Sequence, residues 1–148
     1  MIINEFKILF ERDLEKLFAE INSYSITENL WRIDGTISNS AGNLCLHLIG
    51  NLRHYIGKEI GGFDYERNRE NEFSAKGISK EELLNEISLS KDIVSKSLEG
   101  MDDSLWPRIY PIQVFGMPMT YGYFLTHLYG HFNYHLGQIN YHRRLVDA

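Results

Sequence analysis

Residues 121–146 read YGYFLTHLYGHFNYHLGQINYHRRLV, a proline-free stretch carrying four of the chain's six histidines, His127, His131, His135 and His142. At about 100° per residue, the first three step about 40° apart along one helix face, and His142 returns to within about 20° of His135. Phe124, Leu128, Gln138 and Leu145 share that stripe. The spacing predicts a helix with imidazoles mixed into its inward face, where buried polar nitrogens need partners. Thr120 stands where an N-cap is wanted, and Arg143 and Arg144 suit the negative end of the helix dipole.

Working outward, WPRIYPIQVFGMPMT (106–120) holds all three prolines, Pro107, Pro111 and Pro118, among β-formers with Gly116 between two apolar runs. It predicts a small hairpin or an extended loop. Upstream, Ser79 and Glu82 form a capping box, Leu83, Ile87, Val94 and Leu98 mark one face of a helix, and Gly100 ends it. A helix capped by Ser40 runs through AGNLCLHLIGNLRHYIGKEI (41–60) to the stop at Gly61 and Gly62. Ile3, Phe6, Phe10, Leu14, Leu17 and Ile21 give the helical rhythm of a first helix over 2–22. Residues 23–40 form a connecting loop with Trp31 folded onto the bundle, and the polar stretch 63–78, lacking an apolar stripe, reads as a long crossover loop. The fold expected is all-α: one domain over 1–148, a four-helix bundle with long crossover connections and a small hairpin before the last helix.

At 148 residues the chain can enclose a core without a structural metal, so any ion is expected to be functional. A net charge of -5 disfavours nucleic acid, which needs a basic face to displace counterions. No run approaches the roughly 18 apolar residues of a membrane span. With one cysteine, Cys45, and charges every few residues at the N-terminus, a cytoplasmic location is expected.

The remaining histidines, His47 and His54, fall on the second helix. An i, i+4 pair of imidazoles can converge on one ion, because Cβ atoms about 5–6 Å apart suit Zn–N distances of about 2.0–2.1 Å. HLYGH (127–131) and HFNYH (131–135) both qualify, and helix geometry does not choose between them. Alone, such a pair is as often two hydrogen-bonded core histidines. A buried His47 on another helix, in a chain with no other buried polar candidate, tips the balance toward a three-histidine metal site. Cys45 points about 200° from His47 and is expected to pack. His54 lies about 10 Å along the axis from His47, and His142 the same distance from His135, so both are pocket-lining or core positions. Asn51 and Gln138 stand about one turn from His47 and His135, where they could support the ligands. No E-x-x-H occurs for di-iron carboxylate chemistry, no C-x-x-C-H for attached haem, and no general base is evident.

NLCLHLIGNLRHYIG (43–57), followed far downstream by HLYGHFNYHLGQINYHRRL (127–145), resembles the DinB-like superfamily. The resemblance spans nearly the whole chain. Its H-x-x-x-H-x-G-Q pattern selects His131 and His135, followed by Gly137 and Gln138, and leaves His54, His127 and His142 outside the motif. It implies a four-helix bundle of unusual connectivity, often a homodimer, with a divalent ion such as nickel, zinc or iron on His47, His131 and His135. It also implies a small-molecule substrate, with low-molecular-weight thiols used in S-transfer or isomerisation; hydrolysis at the ion's open position is a second chemistry. A noncatalytic metal-binding or structural dimeric bundle is the alternative.

Overall fold

The computed structural model describes residues 1–148 and contains five α-helices: α1 (Ile2–Asn22), α2 (Ala41–Leu52), α3 (Arg69–Ser74), α4 (Lys80–Glu99) and α5 (Tyr121–Val146). Short 3-10 turns at Thr27–Trp31 and Asp103–Leu105 tie down the loops, and α2 continues into a π-helical turn, Arg53–Lys58. The expected caps form. Ser40, Ser79 and Thr120 each accept a hydrogen bond from the backbone N–H three residues on, fixing the starts of α2, α4 and α5. The proline-rich segment makes one hairpin-like contact, an isolated antiparallel bridge between Ile109 and Thr120.

The four long helices form the bundle. Around its circumference the order is α1, α4, α2, α5, since α1 packs on α4 and α5, and α2 packs on α4 and α5. The links α1–α2 and α4–α5 therefore join helices on opposite corners, and the two diagonal crossovers are the 23–40 and 100–120 segments. The 63–78 segment, expected to be a long crossover loop, instead links neighbours and contains α3. It lacks an apolar stripe because α3 docks through polar side chains and a single aromatic, Phe73, whose ring lies 4.8 Å from that of His47.

The apolar faces read from the sequence build the core: Phe10, Leu14, Leu17 and Ile21 meet Leu83, Ile87, Val94 and Leu98, and all are buried. On α5 the inward line is Phe124, Leu128, Phe132, Leu136, Ile139 and Val146. The histidine stripe was expected inward and is so only in part: Phe124, Leu128 and His142 are buried, His131 and His135 are half-buried at the edge facing α2, and His127, Gln138 and Leu145 are exposed. Phe132 and Ile139, larger and wholly apolar, occupy the core instead.

A buried carboxylate fixes α5 against α1. Asp13 accepts hydrogen bonds from Tyr129 Oη at 2.6 Å, Arg12 Nε at 2.8 Å and Asn133 Nδ2 at 3.0 Å. Burial pushes this carboxyl up, but the hydrogen bonds from Arg12, Tyr129 and Asn133 outweigh it and hold it below its ordinary value of 3.8. Its stabilisation is therefore complete above that pH and is lost as pH falls through the lower folded value. Asp13→Ala removes the acceptor of these three donors at a helix contact, and urea denaturation at neutral pH is expected to show a loss of about 2–3 kcal/mol.

Candidate metal centre

Three histidines from two helices meet beside α3. His47 lies midway along α2 and is buried; His131 and His135 are successive turns of α5. One ring nitrogen from each lies within 4.8 Å of the others. His47 Nε2 stands 3.1 Å from His131 Nε2, and the His131 and His135 rings are 4.6 Å apart, edge to face. Among the donor-bearing side chains of the protein, these three form a cluster suited to an ion.

The far nitrogens decide which atoms face inward. Glu72 on α3, itself buried, lies with Oε1 3.0 Å from His47 Nδ1 and receives both Nε (2.9 Å) and Nη2 (3.0 Å) of Arg67. Burial raises the Glu72 carboxyl, while the hydrogen bonds from His47 and Arg67 prevail and keep it below the usual carboxylate range. A carboxylate only accepts, so His47 Nδ1 carries the proton and Nε2 is turned into the centre. Gln138 Oε1 lies 2.7 Å from His135 Nδ1 and accepts its proton, orienting that ring the same way. His131 Nδ1 is buried without a partner. Burial, together with His135, His47, His127 and Arg67 nearby, pushes the His131 imidazole down to about 4, so at neutral pH it is an uncharged donor.

The position of α3 follows from α2. The Asn43 side chain donates to Glu72 O (3.0 Å) and Ala75 O (2.8 Å), clamping the end of α3, and its own amide oxygen takes the Ser40 hydroxyl at 2.7 Å. Glu72 then passes so close to Gly50 that a Cβ there would stand 1.9 Å from Oε2. Helix propensity alone favours Gly50→Ala by about 1 kcal/mol. With Glu72 held by two partners the substitution is expected instead to lower the melting temperature, at a cost of about 1–3 kcal/mol.

The other sequence candidates are dispersed. His142 is buried but committed to the core: Nδ1 is 2.6 Å from the Tyr24 hydroxyl and Nε2 2.8 Å from the Arg32 carbonyl. His127 is exposed, its ring 4.8 Å from Phe115 and 6.2 Å from His131, outside the donor cluster. His54, in the π turn, packs on Tyr55, with Nδ1 buried and unpaired. Asn51 is buried with an unpaired Oδ1 and no hydrogen bond to the triad. Of the supporting positions proposed from spacing, only Gln138 touches a triad histidine. Cys45 is buried, and burial pushes its thiol up, in keeping with packing.

A family model described as a protein of unknown function (DUF1572) matches residues 4–148. The chain belongs to the DUF1572 family. Its fold is also that of a DinB-like protein from Bacillus cereus ATCC 10987, whose crystal structure matches with a TM-score of 0.70 at 18% identity, covering 90% of this chain and 85% of that one. No curated protein matches. No helix of this DUF1572 protein is long and apolar enough to cross a membrane.

Sequence reading missed Glu72 and Arg67, and its premise that the chain had no other buried polar candidate overlooked two carboxylates: Asp13 and Glu72 are both buried. One signal was available. Gly50, in the interior of an otherwise apolar helix, carries a propensity cost that asks for a close approach.

Proposed function

We propose that this protein is a metal-dependent enzyme acting on a small molecule, with a divalent ion, nickel, zinc or iron, held by His47, His131 and His135. The observation that carries this reading is the pairing of His47 Nε2 with His131 Nε2 at 3.1 Å. Glu72 fixes the proton of His47 on its other nitrogen, so its Nε2 presents a lone pair toward His131; a neutral His131 meets it with Nε2–H in the metal-free protein and would meet an ion between them with its own lone pair. The donor set suits a borderline-soft ion, and tetrahedral ligands at about 2.0–2.1 Å need nitrogens roughly 3.3 Å apart.

With three neutral imidazoles and an open position, a bound ion would act as a Lewis acid that acidifies a thiol or water. The protein's own residues set the conditions. Glu72 holds the Nδ1 proton of His47 and strengthens the opposite nitrogen as a donor, while Arg67 balances the carboxylate. Gln138 does the same for His135 without adding charge. The half-exposure of His131 and His135 leaves that side open to a substrate. Thiol S-transfer follows the DinB-like resemblance and is favoured over hydrolysis; a homodimer, a cytoplasmic location and a single domain over 1–148 belong to the same reading.

The test is metal content followed by chemistry. Native protein is expected to carry close to one divalent ion per chain and, given a small thiol, to conjugate a generic aryl halide, with both properties lost in His47→Ala. Failure of the parent to retain nickel, zinc or iron after loading and gel filtration would refute the metal centre. A loaded protein that neither binds thiols nor turns over would leave a noncatalytic metal-holding bundle.

A further inference from the structure

Beside the triad lies a cavity of about 360 Å³, within the range of small-molecule sites. It opens between the 36–39 loop, the start of α2 and the last turns of α5. Leu44, on its wall, is one turn before His47 on α2, and Gln138, also on its wall, is one turn after His135 on α5. The cavity therefore begins where the donor cluster ends. Gln138 belongs to both: its Oε1 accepts from His135 Nδ1, and its amide NH₂ is left over.

None of the residues lining the cavity carries a charged side chain. Ile37, Leu44 and Leu145 supply apolar surface, and Ser38 and Asn39 supply neutral polar groups. His142 forms part of the wall but has both nitrogens engaged, by Tyr24 and the Arg32 carbonyl, so it offers only its ring. Arg32, nearby in sequence, is paired with Asp34 at 3.6 Å. Arg144 stacks its guanidinium on the Tyr141 ring at 5.2 Å but is not part of the wall, so a carboxylate or phosphate placed here would lose water with no cation in the lining, whereas a neutral group would find both apolar contact and hydrogen bonds. The comparable groove on the α1–α5 seam is lined by the charged Lys16 and Glu20, and neither a triad histidine nor Gln138 is on its wall.

We infer that this cavity receives the uncharged, partly apolar body of the substrate, with the reacting group extending past Gln138 to the three histidines. The placement of that reacting group rests on the metal-centre reading; the selectivity of the cavity for neutral ligands does not.

Benzyl alcohol and benzoate, near-equal in shape and differing in charge, are suitable probes, followed by ¹⁵N–¹H correlation spectra of chelator-treated full-length protein. Benzyl alcohol is expected to shift the amides of residues 36–39 and the Gln138 side-chain NH₂, with an apparent Kd at least tenfold below that of benzoate. Leu145→Lys, which puts a cation at the exposed mouth, is expected to make benzoate bind at least as well as benzyl alcohol. Equal or tighter binding of benzoate to the parent, shifts confined to other surfaces, or no shift with either probe would overturn the assignment. Because the probes need no metal, the expected shifts together with failure of the parent to retain an ion after loading would refute the metal centre alone and leave the cavity standing.

Discussion

His131→Ala is expected to abolish tight metal binding, leaving less than a tenth of the parent's ion per chain after gel filtration, while the apo protein remains folded. The large effect on metal follows from the position of His131 between the other two donors: its Nε2 is 3.1 Å from that of His47, and its ring is 4.6 Å from that of His135. Two imidazoles on different helices would not replace a three-point site. The small effect on folding follows because His131 Nδ1 has no protein partner to lose and the ring is only half-buried. A second readout separates loss of a ligand from general damage. In metal-free parent protein, burial and the neighbouring histidines hold the His131 imidazole at about 4, against an ordinary value of 6.5. The unfolded chain takes up a proton as pH falls through 6.5 while the folded chain does not until about 4, so stability declines across that window. With the ring partly open to solvent, the decline assigned to this group is on the order of 1–2 kcal/mol. His131→Ala should remove that component, so that the urea midpoint of the apo parent falls relative to that of the variant between pH 7 and pH 4. An unchanged metal stoichiometry in the variant would show that the ion, if bound, sits elsewhere.

How much of this was legible in the sequence differs between the frame and the site. Helices α1, α4 and α5 were readable from their apolar periods, and in α4 and α5 the period is joined to explicit punctuation: Ser79 and Thr120 as caps, Gly100 as a stop. The convergence of His47 with the α5 pair was readable only in part. Periodicity put the histidines on one stripe but could not say which stripe faces the core, since a rotation of one position exchanges His131 for Phe132 without changing the repeat. The choice of His131 and His135 over His127 came from the motif resemblance; the structure brings those two and His47 into one cluster. α3 was illegible for a physical reason. It is short and lacks an apolar face, and it is held by tertiary hydrogen bonds from Asn43 and by the Glu72 ion pair, which leave no period in the local sequence. The π turn after α2 likewise reads as ordinary helix until its hydrogen bonds are seen.

Glu72→Gln is expected to weaken metal affinity 10- to 100-fold, as is Glu72→Ala, and both to destabilise the fold, the alanine variant by about 3 kcal/mol. The two effects have different origins. For the ion, the carboxylate matters because it holds the Nδ1 proton of His47 at 3.0 Å and makes Nε2 a better donor; an amide oxygen accepts the same proton but without the negative charge. For the fold, it matters because the Arg67 guanidinium, largely buried beside Tyr55, has Glu72 as its charge partner through two hydrogen bonds. Removing the partner leaves a buried cation, and replacing both charges together does not. The double variant Arg67→Met, Glu72→Gln is therefore expected to recover stability to within about 1 kcal/mol of the parent while metal affinity stays low. That split, measured by urea denaturation of the apo proteins and by competition with a chromophoric chelator, assigns the carboxylate to His47 and the salt bridge to the placement of α3. If affinity returned together with stability, Glu72 would be a clamp on α3 alone, and His47 would owe its orientation to helix packing.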